Sequence, residues 1–410
     1  MRYRIRRLEQ NTSIWNTESI LLLIACFFVF LFPTSINGVI VKNMYMVRNG
    51  LGGLIAIFMI VKNGVQKKSF VWTLALVMWL TLLTVTTSVF CQPNDFRVAF
   101  ASISGFLPTV LIWCVSLKER TVSKKFAFWV LDISSVLVCL WGWALVANNA
   151  LALRFTQMFY SQLKETMFDN MITIRGKPVM SFGTHSMSAF FIMYLFFYHC
   201  VVIKEKKDNV FHYIVMVLLF LLEIPLSSNT AMLSMGIMLG LLIWARNTRA
   251  TRIITLVAVA VGLLYFYSTG FVSEWTGKIL HGTNSDHHGF TARYASGIYD
   301  GNLRMVTQYV GVGFLRSASN VFRMNDSGVI YLFTQGNLPA VVMSYVLMYR
   351  FFKRNMTKYV FISFVMFFVW EFISASTFIS VKMVFAHIMT IYLINSIVEK
   401  EEASSVEAIG

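Results

Sequence analysis

The sequence predicts an all-α polytopic integral membrane protein of about twelve transmembrane helices, with both termini cytoplasmic and two long outer loops. Three observations predict it. The chain is 57% hydrophobic and 13% charged, whereas soluble domains average roughly 45–50% apolar and about 25% charged. Apolar runs of ~20 residues, the length that crosses a bilayer as a helix, recur along the chain. The short polar links on one side of these runs are all basic. Only helices and closed barrels satisfy the backbone in hydrocarbon, and these runs are too long and too unalternating for barrel strands.

The runs fall at 18–37, 44–61, 69–90, 98–117, 126–147, 182–203, 209–226, 228–245, 252–269, 327–349, 358–380 and 382–398. The first follows a basic start, Met1-Arg-Tyr-Arg-Ile-Arg-Arg, is too long for a signal peptide and shows no small-residue cleavage site, so it reads as a retained span. With the N-terminus inside, the cytoplasmic links carry Arg2, Arg4, Arg6 and Arg7, then Lys62, Lys67 and Lys68, then Lys118, Arg120, Lys124 and Lys125. Further along they carry Lys204, Lys206 and Lys207, then Arg246, Arg249 and Arg252, then Arg350, Lys353, Arg354 and Lys358. This is the positive-inside pattern, and a count of ten spans would put one basic link on the wrong side. The boundaries around Pro225-Leu-Ser-Ser-Asn229 and at Ser380 are the least sharply drawn. The whole chain, 1–410, reads as a single membrane domain, with outer loops 148–181 and 270–326 and a loose cytoplasmic tail over 399–410.

The net charge of +16 is absorbed by this topology, and no basic stretch forms a folded domain, so no nucleic-acid partner is expected. Cys26, Cys91, Cys114, Cys139 and Cys200 lie in or at the edge of apolar runs without CxxC spacing, which predicts neither a disulfide framework nor a metal site.

Candidate chemistry gathers in the two outer loops. The first carries Arg154, Lys164, Glu165, Asp169, Arg175 and Lys177, then Ser181-Phe-Gly-Thr-His185-Ser186 leading into a span. His185 and Ser186 can hydrogen-bond a ligand head group there. The bland reading is a helix start capped by Ser181 or Thr184, with His185 reaching to water. In the second loop, Arg293 and Arg304 are eleven residues apart, three helical turns plus about 20°, so a helix would put both on one face. Gly297 and Gly301 weaken that helix. Leu303, Val306 and Val310 have helical spacing and suggest a helix lying on the membrane surface up to the turn Gly311-Val312-Gly313. Guanidinium forks suit a pyrophosphate, although they can equally rest on lipid phosphates.

His281, His287 and His288 match no zinc spacing and read as loop. Trp275, Tyr294, Tyr299 and Tyr309 either stack on sugars or belong to the interfacial aromatic belt. Four ionisable residues fall inside runs: Arg48, Asp132, Glu223 and Glu371. Such groups usually face the bundle interior. Glu223, near an outer end, is the best internal candidate for a base or for orienting an arginine. Asp132 suits structural pairing, and Glu371 reads as mid-span, where either a proton path or a structural role would fit.

Three pieces of the chain together resemble the O-antigen ligase/polymerase family of bacterial surface-polysaccharide enzymes. They are Arg175-Gly followed by Phe182-Gly-Thr-His185-Ser186, Arg293 with Gly311-Val-Gly313-Phe314 eighteen residues on, and Asn325-Asp326-Ser327-Gly328 opening a span. The resemblance covers about 175–350, and the twelve-span outline covers the whole chain. It departs from the family pattern at Ser227-Ser228-Asn229, which lacks an arginine, and before the G-x-G turn, which lacks a proline.

The resemblance implies a polysaccharide polymerase of the bacterial inner membrane. It would join glycans carried on polyprenyl pyrophosphate, with the prenyl tail among membrane lipid and a chain-length regulator protein as a possible partner. It implies Arg175, Arg293 and Arg304 on the pyrophosphate, and Asp326, His185 or Glu223 as catalytic groups. No cofactor or metal is expected, because the arginines supply the positive charge. The alternatives are an O-antigen ligase that moves polymer to the lipid A-core, and a lipid-linked oligosaccharide transporter or flippase. The last predicts pseudo-symmetric halves and broken helices at matching positions, neither of which is evident in the sequence.

Overall fold

The structure is a computed structural model describing residues 17–31, 44–90, 96–117, 122–159, 185–206, 210–226, 229–244, 311–314, 328–355, 357–373 and 377–398. Its helices, in chain order, are α1 (Thr17–Phe30), α2 (Met44–Asn63), α3 (Lys67–Phe90), α4 (Phe96–Ile112), α5 (Lys124–Ala147), α6 (Asn149–Phe159), α7 (His185–Lys206), α8 (Val210–Leu226), α9 (Asn229–Trp244), α10 (Gly328–Asn355), α11 (Lys358–Ile373) and α12 (Val381–Ile397). A helix occupies every expected apolar run except 252–269, which lies outside the described residues. Among the described residues α3, α5, α7 and α10 are long and apolar enough to cross a membrane, with shorter apolar helices beside them. The fold is that of a helical membrane protein.

Local chemistry sets the boundaries. Ser123 caps α5 by accepting from the Phe126 backbone N–H at 3.3 Å. Asn148 then serves two helices. Its backbone N–H closes α5 on the Ala144 carbonyl at 3.1 Å, and its side chain accepts from Leu151 N–H at 3.0 Å to open α6. The sequence reading treats this stretch as loop, so α6 is an element it missed. The run expected over 358–380 is also shorter as a helix. α11 stops at Ile373, and a 3₁₀ turn, Thr377–Ile379, precedes α12.

The helices sort by how they meet solvent or lipid. On α3 the exposed Val71, Leu74, Met78, Leu82, Val85 and Val89 form a stripe at three- and four-residue spacing, the face a helix turns to lipid. In α7 every residue from Ser188 to Val202 is buried, and α12 is buried from Val381 to Leu393. Helices apolar all round are central ones. α7 packs on α8, α9, α5 and α12, and α12 on α1, α4 and α11. Trp113, just after α4, packs edge-on against Phe351 of α10 and Phe367 of α11 and stacks on Phe378 of the 3₁₀ turn at 5.6 Å. At one end of the bundle a bridge between Val65 and Val115, and the Leu117 N–H donated to Asn355 Oδ1 at 2.9 Å, tie the connections after α2 and α4 to the end of α10.

Candidate functional site

The unusual part of the bundle is α10, which is two helical pieces joined at a break. Gly336 (φ −145°, ψ 21°) and Asn337 (φ 55°, ψ −163°) leave the helical region, and Pro339 follows. A proline has no N–H to give the carbonyl four residues back, here Gln335. The Leu338 N–H is also diverted, to Asn337 Oδ1 at 2.7 Å. The carbonyls of Thr334 and Gln335 therefore lose their intrahelical donors inside an apolar bundle.

The turn Gly311–Phe314 supplies new donors. Val312 N–H reaches the Thr334 carbonyl at 3.3 Å, and Gly313 N–H the Gln335 carbonyl at 2.7 Å. The Gly336 carbonyl accepts from Trp79 Nε1 of α3 at 2.7 Å. The turn is itself satisfied by α3. Phe314 N–H donates to Thr84 Oγ1 at 2.7 Å, and Thr87 Oγ1 donates to the Gly311 carbonyl at 3.2 Å. All four turn residues are buried. Irregular backbone at membrane depth persists only when protein encloses and satisfies it, and that is the arrangement here.

Both glycines are required. Gly311 has φ +125° and Gly313 φ +59°, conformations that side chains disfavour. A Cβ on Gly311 would also lie 2.7 Å from the Gln335 carbonyl oxygen. The Gly-x-Gly that the sequence reading singled out is thus a segment keyed into a broken helix.

The first residue of α10 meets a second polar element. Gly328 abuts the carboxylate of Glu371 so closely that a Cβ would collide with it. The sequence places Glu371 mid-span. It lies instead in the last turn of α11, where the chain leaves the helix. Its Oε2 accepts from the Thr377 hydroxyl and from Phe378 N–H at 2.8 Å, holding the connection to α12. Its Oε1 is buried with no hydrogen-bond partner among the described residues.

Two cations lie between α2, α12 and their neighbours. Lys382, in the first turn of α12, is buried with Nζ 5.6 Å from the Phe28 ring centre and 5.7 Å from that of Phe191. It is close enough to Arg48 to feel its charge. Arg48 Nε donates to Asn49 Oδ1 at 3.1 Å, and Asn49 Nδ2 donates in turn to Ser104 Oγ at 3.0 Å. Sequence reasoning passed over Lys382, the first residue of the run expected at 382–398. Burial behind the rings of α1 and α7 is a tertiary fact.

Of the site residues read from the sequence, Arg175, Arg293, Arg304 and Asp326 lie outside the described residues. His185 is the first residue of α7, and its side chain lies outside the described set as well. Glu223 is buried in the last turn of α8, with neither carboxylate oxygen hydrogen-bonded among the described residues. Asp132 has the structural partner expected of it, accepting from Tyr198 Oη at 2.8 Å. No family model matches the chain, and no curated protein matches it either.

Proposed function

We propose that this protein is a twelve-span glycosyltransferase of the bacterial inner membrane, with both termini in the cytoplasm. It polymerises surface-polysaccharide repeat units carried on polyprenyl pyrophosphate at the outer face. The observation that carries the reading is the convergence on α10. Two of the three motifs behind the family resemblance come to this one helix. Gly311–Phe314 is keyed into its break, and its first residue, Gly328, follows directly on Asn325-Asp326-Ser327. The turn belongs to the long loop holding Arg293 and Arg304, so the break anchors that loop to the bundle at 311–314.

In this reading an acceptor sugar hydroxyl attacks the anomeric carbon of the donor glycan. The new glycosidic C–O bond forms as the bond to the pyrophosphate oxygen breaks. Asp326, with His185 or Glu223 as the alternative, takes the hydroxyl proton. Arg175, Arg293 and Arg304 hold the pyrophosphate as negative charge grows on it, where low dielectric makes each guanidinium count for more than in water. Half-buried Arg48 and buried Lys382, at helix ends assigned to the outer side, add positive potential for the same anion. The prenyl tail runs along lipid-facing helices. No metal or cofactor takes part in this step.

One observation favours the rival reading, a lipid-linked oligosaccharide transporter. α10 is a broken helix of the kind that lines substrate sites in carriers. Carriers built from inverted repeats have a matching break in the other half. Among the described residues α10 alone has non-helical backbone inside a helix.

The deciding experiment is Arg293→Ala in a strain carrying this protein as its sole copy, with surface glycan resolved by length. A polymerase yields single repeats on carrier or lipid core. A ligase yields polymer that stays on the carrier, and a flippase yields repeats trapped on the cytoplasmic side. Normal chain length refutes the assignment.

A further inference from the structure

A separate cluster lies among α5, α7 and α8. His199 of α7 and His212 of α8 flank the short link between those helices, and their Nδ1 atoms face each other at 2.8 Å. Asp132 Oδ1 of α5 lies 3.7 Å from His212 Nδ1 and accepts from Tyr198 Oη at 2.8 Å. One atom from each of Asp132, His199 and His212 falls within 4.8 Å of the others. Both histidines are buried, at 0% and 3% exposure, while the Asp132 side chain is 29% exposed.

Three lone-pair atoms from three helices therefore converge in an apolar setting. One divalent cation satisfies all three. Tetrahedral zinc, 2.0–2.1 Å from nitrogen and oxygen ligands, keeps them about 3.3 Å apart. The observed 2.8 and 3.7 Å bracket that spacing, and the third pair, Asp132 and His199, lies within 4.8 Å, so side-chain rotation is what closes the set around an ion. Tyr198 Oη, already donating to Asp132 Oδ1, fixes the orientation of the carboxylate. The exposed edge of Asp132 gives an ion a route in.

The geometry points to a structural zinc site formed by Asp132 Oδ1, His199 Nδ1 and His212 Nδ1, with a water completing the tetrahedron. It clamps the α7–α8 hairpin to α5. By the charge pattern it lies toward the cytoplasmic ends of these helices, away from the proposed glycan chemistry, which stays metal-independent.

The test uses the full chain purified in detergent without chelator. Wild type is expected to carry about one zinc per chain by elemental analysis. After zinc removal, added Co²⁺ is expected to give the intense visible absorption of a tetrahedral centre. His199→Gln and His212→Gln, checked for monodispersity and helical content, are expected to weaken metal binding by more than about 100-fold, beyond the usual loss from an outer-shell change. Asp132→Asn is expected to weaken it too. Chelation is expected to lower the thermal midpoint of wild type and not of the histidine variants. Wild type that neither retains zinc nor yields a tetrahedral cobalt spectrum overturns the proposal. So does zinc retained undiminished in both folded histidine variants, which would place the ion elsewhere.

Discussion

Replacing Gly311 by alanine isolates the device that holds the broken helix together. The backbone there has φ +125°, a region where a side chain costs roughly 1–3 kcal/mol. The added methyl would also lie 2.7 Å from the Gln335 carbonyl oxygen and 3.1 Å from Gly336 Cα, both backbone atoms that cannot swing aside. The turn therefore has to lift away from α10. That movement breaks the hydrogen bonds from Val312 and Gly313 N–H. At about 0.5–1.5 kcal/mol each, their loss adds roughly 1–3 kcal/mol. The sum is about 2–6 kcal/mol of destabilisation. Gly240→Ala is the matched control, because a Cβ there meets nothing within 4 Å inside α9. Helix propensity makes that change neutral or favourable by up to ~1 kcal/mol. Thermal unfolding of both variants in one detergent, followed by helical circular dichroism, reads the difference. If Gly311→Ala unfolds at the same temperature as Gly240→Ala, the turn is not keyed into the helix and the reasoning fails.

Further expectations can be checked the same way. Thr84→Val strips Phe314 N–H of its acceptor and is expected to cost about 1–3 kcal/mol of stability, whereas Thr81→Val, whose hydroxyl bonds only within α3, is expected to change little. Glu371→Ala leaves Phe378 N–H and the Thr377 hydroxyl unpaired and is expected to destabilise by roughly 2–4 kcal/mol. Glu371→Gln keeps an acceptor and is expected to retain most of that stability, and equal losses in the two variants would refute the tie between α11 and α12. Asn355→Ala removes the acceptor of Leu117 N–H and is expected to cost about 1–3 kcal/mol in the same unfolding assay. Lys382→Met is expected to cut polymer yield in cells at unchanged protein level, and full-length polymer in normal amount would make Lys382 a packing residue only.

The positions of the helices were legible because lipid imposes a pattern that composition alone reveals. Runs of about 20 apolar residues have one stable form in hydrocarbon, so α2, α3, α5 and α9 begin and end within a few residues of the expected bounds. Where satisfaction depended on distant partners, the sequence was silent. Gly336, Asn337 and Pro339 sit in a run that reads as one span, and the break survives only because a turn more than twenty residues upstream donates to it. The three members of the histidine–aspartate cluster are scattered over positions 132, 199 and 212, a spacing that matches no local metal pattern. Glu371 looked mid-span because the residues after it are apolar. The helix ends there instead, and the carboxylate binds the turn that follows. The Gly-x-Gly was the opposite case. It was noticed for its resemblance, and its conformational need at Gly311 and Gly313 gives that notice a physical reason.

The break in α10 also constrains what kind of machine this can be. A carrier that rocks between two states needs its broken helix to exchange backbone partners or to move as part of a rigid half. Here the carbonyls at the break are shared between two different parts of the chain, the 311–314 turn and Trp79 of α3. The turn is in turn fastened to α3 through Thr84 and Thr87. Moving α10 away from α3 and the turn would break three hydrogen bonds, from Val312 N–H, Gly313 N–H and Trp79 Nε1, and leave buried groups unpaired at about 1–3 kcal/mol each. α10, α3 and the end of the long loop are thus coupled as one block. Such coupling suits a fixed site that positions loop arginines over a membrane-embedded substrate. A cysteine pair bridging the packed faces of α3 and α10, away from the glycine turn, tests the point. Cross-linking that leaves polymer length intact fits a rigid enzyme, and cross-linking that abolishes glycan export while the protein stays folded would favour the carrier.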